Sequence, residues 1–373
     1  MFEFEVTATA GAARTGRITT PRGTITTPCF MPVGTRAAVQ TLTSHDLNGA
    51  GGLDAEIILG NTYHLMLRPG ADLIAEMGGL HTFMNWSGFV LTDSGGYQIF
   101  SLEPKIDDQQ GALFRSTYDG SKHTLSPEGA VDVQTNLGAD IQMVLDVCPP
   151  LPSSDQVIRS AMDQTHRWAE RARRSFLDRP ERADGMRAQF GIVQGGLDTA
   201  LRQESAAFLT GIGFEGYGIG GLSVGEKRTQ MLEPLAATTA ALPVDQPRYL
   251  MGVGDPLSIV EGIANGVDMF DCVLPTRLAR HGTVLTTAGR MNLKNAAYAR
   301  DERPIDPEFP ESPATPWTRA YLRHLLQVKE QGVLRVLTMH NIAFLFRLVD
   351  QARDAVVAGT IDELVDRVGR VWS

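Results

Sequence analysis

GVDMFDCVLPTRLAR, residues 266–280, joins a strand-like apolar run to a short basic segment. Residues 267–274 have the length and character of a buried strand. Asp271 lies inside the run, where a carboxylate is costly unless it is paired or put to use. Pro275 reads as the end of the strand. Thr276, Arg277 and Arg280 follow, offering hydroxyl and guanidinium groups that suit phosphate. A carboxylate beside phosphate-binding groups points to chemistry on a nucleotide. From these residues alone, a strand-end Asp paired with a neighbouring Arg fits as well.

Working outward, the same kind of run recurs seven times upstream: PCFMPVGT (28–35), AEIILGN (55–61), FVLTDSGG (89–96), IQMVLDVC (141–148), AQFGIVQGG (188–196), GYGIGG (216–221) and RYLMGVG (248–254). Helical patterns separate them. Ser126, Pro127 and Glu128 open one, with Ser as N-cap and Pro at the first helical position. Residues 154–176, 199–211, 226–241 and 255–265 carry others. Alternating strands and helices imply a parallel sheet with helical crossovers. Eight strands predict a closed (β/α)8 TIM barrel, and no Gly-rich dinucleotide fingerprint follows the first strand. A single barrel domain over residues 1–373 is expected, preceded by a Thr-rich hairpin at 16–27. Two insertions interrupt the rhythm. Residues 97–126 contain Asp119-Gly120, a two-residue hairpin signal. Residues 276–317 are rich in Arg and Pro, and a long helical region at 318–371 closes the chain.

Composition limits the function. Hydrophobic residues make up 43% and charged residues 21%, as in a soluble globular protein. With a formal net charge of −9, any nucleic-acid contact must use local basic patches. Cys29, Cys148 and Cys272 are far apart, which excludes a CxxC metal or redox motif and suits a reducing compartment. The acidic N-terminus lacks the apolar core of a signal peptide, and no run approaches the ~18 residues of a membrane span. A cytoplasmic protein without membrane contact is expected.

In a TIM barrel, chemistry collects at the carboxyl ends of the strands. Asp93, Asp146 and Gln194 end the third, fourth and fifth strands; Gly220 and Gly221 end the sixth. Met251 lies in the seventh and Asp271 in the eighth. Three carboxylates on one rim would repel one another unless a substrate uses them. Asp146 and Gln194 could hydrogen-bond a heterocycle edge. The Gly pair would let a ligand approach backbone amides, and Tyr97 and Met251 could sandwich a flat ring or simply pack in the core. Asp271 suits attack on a sugar carbon, and Asp93 proton transfer.

LTDSGGYQIFSL (91–102), GIVQGG (191–196), GYGIGGLSVGE (216–226), RYLMGVG and DMFDCVLPTR (268–277) resemble the queuine/archaeosine tRNA-ribosyltransferase family, in particular its bacterial tRNA-guanine transglycosylases. ILGNTYHLMLRPG (58–70) and the late YLRHL and TMHN segments match too, so the resemblance spans nearly the whole chain. It implies exchange of guanine for the 7-deazaguanine preQ1 at wobble position 34 of tRNAs with a GUN anticodon. Asp271 would be the nucleophile at ribose C1′ and Asp93 the general acid/base. Ser94, Gly95, Gly96, Tyr97, Asp146, Cys148, Gln194, Gly220, Gly221, Leu222 and Met251 would form the base site. Gly252, Val253, Gly254, Asp255, Pro256, Leu257 and Ser258 would meet RNA, as would Thr276, Arg277, Leu278, Ala279 and Arg280. Cys148 and Val224 match the form that favours preQ1 over bulkier queuine. The resemblance further implies a homodimer.

Some positions depart from the family pattern. Val147 stands where bacterial members usually have Glu, Leu278 and Ala279 replace Ser-Gly, and His281 replaces Asn. Most distinctively, the family's inserted subdomain, here 276–345, carries a CxCxxC run and a later His that hold zinc. Phe309, Glu311 and Ala314 occupy those Cys positions, and His340 is the one family ligand that remains. One His cannot hold structural zinc, so the subdomain is expected to be metal-free and no cofactor is expected. Phe309, Trp317 and Pro310, Pro313 and Pro316 are expected to replace the metal by packing and loop stiffening. The helix from Thr318 is expected to dock through Tyr321, Leu322, Leu325 and Leu326. The lost zinc site leaves open a related base exchange on another nucleic acid. A non-catalytic tRNA-binding partner subunit is the other alternative, and the intact Asp93–Asp271 pair argues against it.

Overall fold

The computed structural model describes residues 2–180 and 187–373. All eight expected strands form: β1 (Cys29–Gly34), β2 (Ile57–Gly60), β3 (Phe89–Thr92), β4 (Ile141–Met143), β5 (Ala188–Val193), β6 (Gly216–Ile219), β7 (Arg248–Leu250) and β8 (Met269–Cys272). They are parallel and close into one barrel in chain order, with β8 returning to β1 through the Asp271–Met31 pair. These strands are short and almost wholly apolar because helices cover their outer face while side chains fill the inner one. Met31, Leu91, Met143, Phe190, Ile219, Leu250 and Phe270 are all buried in one core.

Local chemistry starts the covering helices. Ser126 accepts the Gly129 N–H at 3.0 Å ahead of helix Pro127–Leu137, and Ser154 accepts from Val157 ahead of Asp155–Leu177. Asp198 and Asp255 do the same for Thr199–Ile212 and Pro256–Ala264. Each such cap is worth about 0.5–2 kcal/mol.

A three-stranded antiparallel sheet, Glu3–Ala10, Ala13–Thr20 and Gly23–Thr27, packs against the amino end of the barrel. Buried Arg14 pairs with buried Asp268 at 2.6 Å and reaches the carbonyls of Val244 and Gln246. Asp268 also accepts the Arg248 N–H. Within the opening stretch, then, Asp268 is the paired strand-end carboxylate, and Asp271 belongs to the other end of β8.

Several expectations need correction. β8 ends at Cys272, and residues beyond it form helix Leu274–Arg280 with Pro275 in its first turn, where a missing N–H costs nothing. The Asp119-Gly120 segment does join two antiparallel strands, Gly111–Arg115 and Lys122–Leu125, but through a loop of residues 116–121. Asp119 spends its carboxylate on the Ser121 N–H and hydroxyl, which widens the turn. Helix Gly332–Ala358 is long and apolar enough to cross a membrane by composition. Instead it packs on the barrel wall through Ile342, Leu345, Leu348, Val349 and Ala352, and polar Asn341 is tied to Pro275 and Thr283 carbonyls.

After β8, hairpin Thr283–Thr286/Gly289–Asn292 and helix Arg319–Gln327 enclose a small apolar cluster of Ala279, Val284, Leu293, Ile305, Ala314, Leu322, Val333 and Leu337. Leu325 and Leu326 pack at its edge. Tyr321 does not join them and is 48% exposed; Arg319 is buried, bonded to Asp301 and the Ile305 carbonyl.

Candidate active site

A cavity of about 530 Å³ opens at the carboxyl ends of the strands, and Asp93, Asp146 and Asp271 all line it. Asp93 follows β3 directly. Thr62 N–H (2.8 Å) and Gly95 N–H (3.1 Å) donate to its Oδ1, and Asn61 Nδ2 to its Oδ2 at 2.6 Å. Burial, together with the neighbouring Asp271 charge, nevertheless raises its carboxyl to about 7. That is the range in which a carboxyl can both give and take a proton near neutrality.

Asp271 is buried in β8. Tyr249 Oη and Gly252 N–H both donate to Oδ1 at 2.6 Å, and no donor among the described residues reaches Oδ2. Burial raises this carboxyl above its ordinary value, and the two donors oppose that by favouring the ionised form. One oxygen is anchored and the other has no donor among the described residues, an arrangement that suits a nucleophile.

Asp146 is held at both oxygens, by Ser94 Oγ at 3.0 Å and Gln194 Nε2 at 2.7 Å. Its carboxyl is raised by burial against the pull of those bonds. Asp146 and Gln194 thus form one bonded unit, with the Gln amide nitrogen already engaged. Gly220, Gly221, Leu222 and Met251 line the same cavity. Gly221 has φ +66°, and a side chain there would collide with Gln194 Oε1. Tyr97 lies at the mouth and is 62% exposed, so it is no core residue. Gly95 and Gly96 turn the chain from Asp93 into helix Gly96–Phe100, and a Cβ at Gly96 would sit 2.8 Å from the Asp146 carbonyl. Cys148 and Val224 line this cavity and also a second one of about 820 Å³ beside it. Burial and the Asp146 charge push the Cys148 thiol up to about 12, so it stays neutral.

The segments expected to meet RNA divide. Gly252, Arg277 and Arg280 are exposed, while Leu278 and Asp255 are partly so. Pro256, Leu257 and Ala279 are buried because both segments are helical and turn half their residues inward. Val253, Gly254 and Ser258 are buried too, though each lines the cavity. Thr276 is also buried, and its hydroxyl donates to the Val273 carbonyl at 3.0 Å, which removes it as a phosphate ligand. Arg280 binds Gln40, whereas Arg277 lines the cavity without a partner among the described residues.

Sequence reasoning missed five residues. Asn61 ends β2 as Asp93 ends β3, so the strand-end rule could have found it. Tyr249 stands two residues before Met251 in a quoted motif. Thr62 holds Asp93 twice, through its N–H to Oδ1 and through its hydroxyl to the Asp93 carbonyl at 2.5 Å. Arg202 is fully buried behind the Gly220 part of the cavity wall, with Nε on the Gly196 carbonyl (2.6 Å) and Nη2 on the Gly220 carbonyl (3.0 Å). Arg290 enters from the distant hairpin.

The residues at the family's zinc position do not fit a zinc ion. Phe309 and Ala314 are buried without donor atoms, and Glu311 is exposed. Both nitrogens of His340 are engaged: Nε2 donates to the Leu285 carbonyl at 2.8 Å, so Nδ1 accepts from Ser312 Oγ at 2.7 Å. Burial lowers this imidazole to about 4, keeping it neutral. Among the described residues no cluster of three or more His, Cys, Asp or Glu could hold a metal. Arg347 lies over the Phe309 ring at 4.8 Å.

The site therefore presents an anchored carboxylate, a second carboxyl tuned to about 7 and a polar slot between glycines and Met251. The sequence profile described as Queuine tRNA-ribosyltransferase matches residues 9–373. The queuine tRNA-ribosyltransferase of Herpetosiphon aurantiacus is 50% identical, covering 98% of this chain and 91% of its own length. That of Moorella thermoacetica is 51% identical over 94% and 92%, and that of Bacillus pumilus 49% over 95% and 91%. With both carboxylates of the motif facing one cavity and likeness running from end to end, the chain belongs to the queuine tRNA-ribosyltransferase family.

Proposed function

We propose that this protein exchanges guanine for preQ1 at wobble position 34 of tRNAs with a GUN anticodon. The coarser statement follows from the family: the chain is a tRNA-guanine transglycosylase, a pentosyltransferase acting on tRNA. The observation that supports the exchange chemistry is the pairing of Asp271, anchored through one oxygen, with Asp93, raised to about 7, in one cavity; the anticodon and preQ1 rest on the resemblance.

In this reading Asp271 Oδ2 attacks ribose C1′. The C1′–N9 bond breaks as the C1′–O bond forms, and Asp93 gives its proton to the departing guanine. The incoming base then loses its N9 proton to Asp93 and displaces Asp271 from C1′. Two inversions restore the original configuration, and no electron acceptor is needed. Asp146 and Gln194 read the base edge, while Tyr97 and Met251 close on its faces. The target nucleotide must leave its stack, which an unpaired anticodon loop makes cheap. Cys148 and Val224 line both the base cavity and its larger neighbour; the preference for preQ1 over the bulkier queuine rests on the resemblance at these two positions.

The inserted subdomain, 276–345, folds without metal in this reading, with the Ser312–His340–Leu285 chain and the Phe309 side chain in place of zinc. The protein acts in the cytoplasm, where its tRNA and three free thiols are compatible, and forms a homodimer. Labelled guanine exchange tests the reaction. Incorporation into tRNA with G34, lost on changing that nucleotide and absent with duplex DNA, supports it. Competition by preQ1 but not queuine supports the base assignment, and sizing in solution tests the dimer.

A further inference from the structure

The cavity wall carries four carboxylates, Asp93, Asp146, Asp255 and Asp271, against two cations, Arg277 and Arg290. A polyanionic substrate entering such a mouth needs fixed positive charge at its rim. Arg277 comes from the basic segment after β8. Arg290 comes from the hairpin: it is cross-strand partner to Leu285, which is buried in the main core, so its backbone position is set by packing. Its guanidinium pairs with Asp255 through Nη2 and Oδ2 at 2.7 Å. The other oxygen of Asp255 caps helix Pro256–Ala264 through the Leu257 N–H.

Asp255 cannot itself be an attractive contact for phosphate, since like charges repel. Its geometry gives it another task. The pair is solvent-accessible, at 48% and 30% for the two side chains, and an exposed ion pair holds its partners only weakly. A guanidinium kept in place but weakly held can transfer one or two N–H donors to a phosphate at small cost.

We infer that Arg290 binds a phosphodiester of the RNA strand at the cavity mouth, and that Asp255 is a positioning residue that holds this guanidinium ready. The inference rests on the base-exchange reading. It adds a phosphate contact from the inserted hairpin to those expected of Arg277 and Arg280.

The test uses the intact protein with an anticodon stem-loop RNA and labelled guanine. R290A should raise the KM for RNA about tenfold and lower the slope of log affinity against log salt by about one. Its kcat and its KM for guanine should stay within about twofold of wild type, and R290K should recover part of the RNA affinity. D255N, which keeps a competent helix cap, should raise the RNA KM less than R290A and add nothing in the R290A background. An R290A enzyme with wild-type RNA KM and salt slope overturns the phosphate site. A D255N effect that persists in the R290A background overturns the positioning role. If the wild-type protein exchanges no guanine into RNA, the base-exchange reading itself fails, before any variant is compared.

Discussion

The Tyr249 hydroxyl donates to Asp271 Oδ1 at 2.6 Å, and the Gly252 N–H shares the same oxygen at the same distance. This fixes the rotation of the carboxylate and leaves Oδ2 without a donor among the described residues. Asp271→Asn should abolish exchange and any SDS-stable protein–RNA adduct while the fold is kept. Tyr249→Phe removes one charge-assisted bond worth about 1.5–3 kcal/mol, so kcat should fall roughly ten- to a hundredfold. Adduct formation on denaturing gels and single-turnover rates check both. A fully active Asp271→Asn enzyme would falsify the nucleophile assignment.

Asp93 gives the pH dependence. Its carboxyl is raised to about 7 in the folded protein, whereas an unfolded chain titrates near about 4. Between those values the native state holds a proton that the unfolded state has lost. Stability from this group is therefore complete below about pH 4 and declines as pH rises through 7. Asp93→Asn should abolish exchange yet raise the melting temperature, more at pH 8 than at pH 4. Melting curves across that range decide the matter; an equal shift at both pH values would contradict the raised carboxyl.

Arg202 ties the loop after β5 to the loop after β6 through the Gly196 and Gly220 carbonyls. Burial lowers it to about 10, so it stays charged at neutral pH. Arg202→Lys keeps charge but cannot span both carbonyls. The KM for guanine should rise about tenfold or more, with RNA affinity unchanged. Isothermal titration with guanine and filter binding of RNA separate the two; parallel losses would indicate general misfolding instead.

The proposed metal-free state of the inserted subdomain can be examined by chelation. EDTA should alter neither melting temperature nor exchange, and elemental analysis should find far less than one zinc per chain. Ser312→Ala strips the donor from buried His340 Nδ1, a loss of about 1–3 kcal/mol, and added zinc should not restore it. Stoichiometric zinc whose removal lowers the melting temperature would refute the metal-free reading.

Eight apolar runs separated by capped helical patterns determined the barrel, because strand burial on both faces and helix capping are written in local sequence. The strand-end rule placed Asp93, Asp146 and Asp271 on one cavity wall, with Gln194 bonded to Asp146 beside it. Tertiary structure decided what local pattern cannot carry. Asp268 and Asp271 sit three residues apart in one run, yet Arg14, over 250 positions away, takes the first and Tyr249 the second. In sequence the basic segment is only the start of an Arg- and Pro-rich insertion, and its helical turn shows that Thr276 and Ala279 face inward while Arg277 and Arg280 face out. Ser312 and His340, and Asp255 and Arg290, likewise meet only because the inserted segment folds back on the barrel. Side-chain partners distant in sequence follow from packing, which no local window contains.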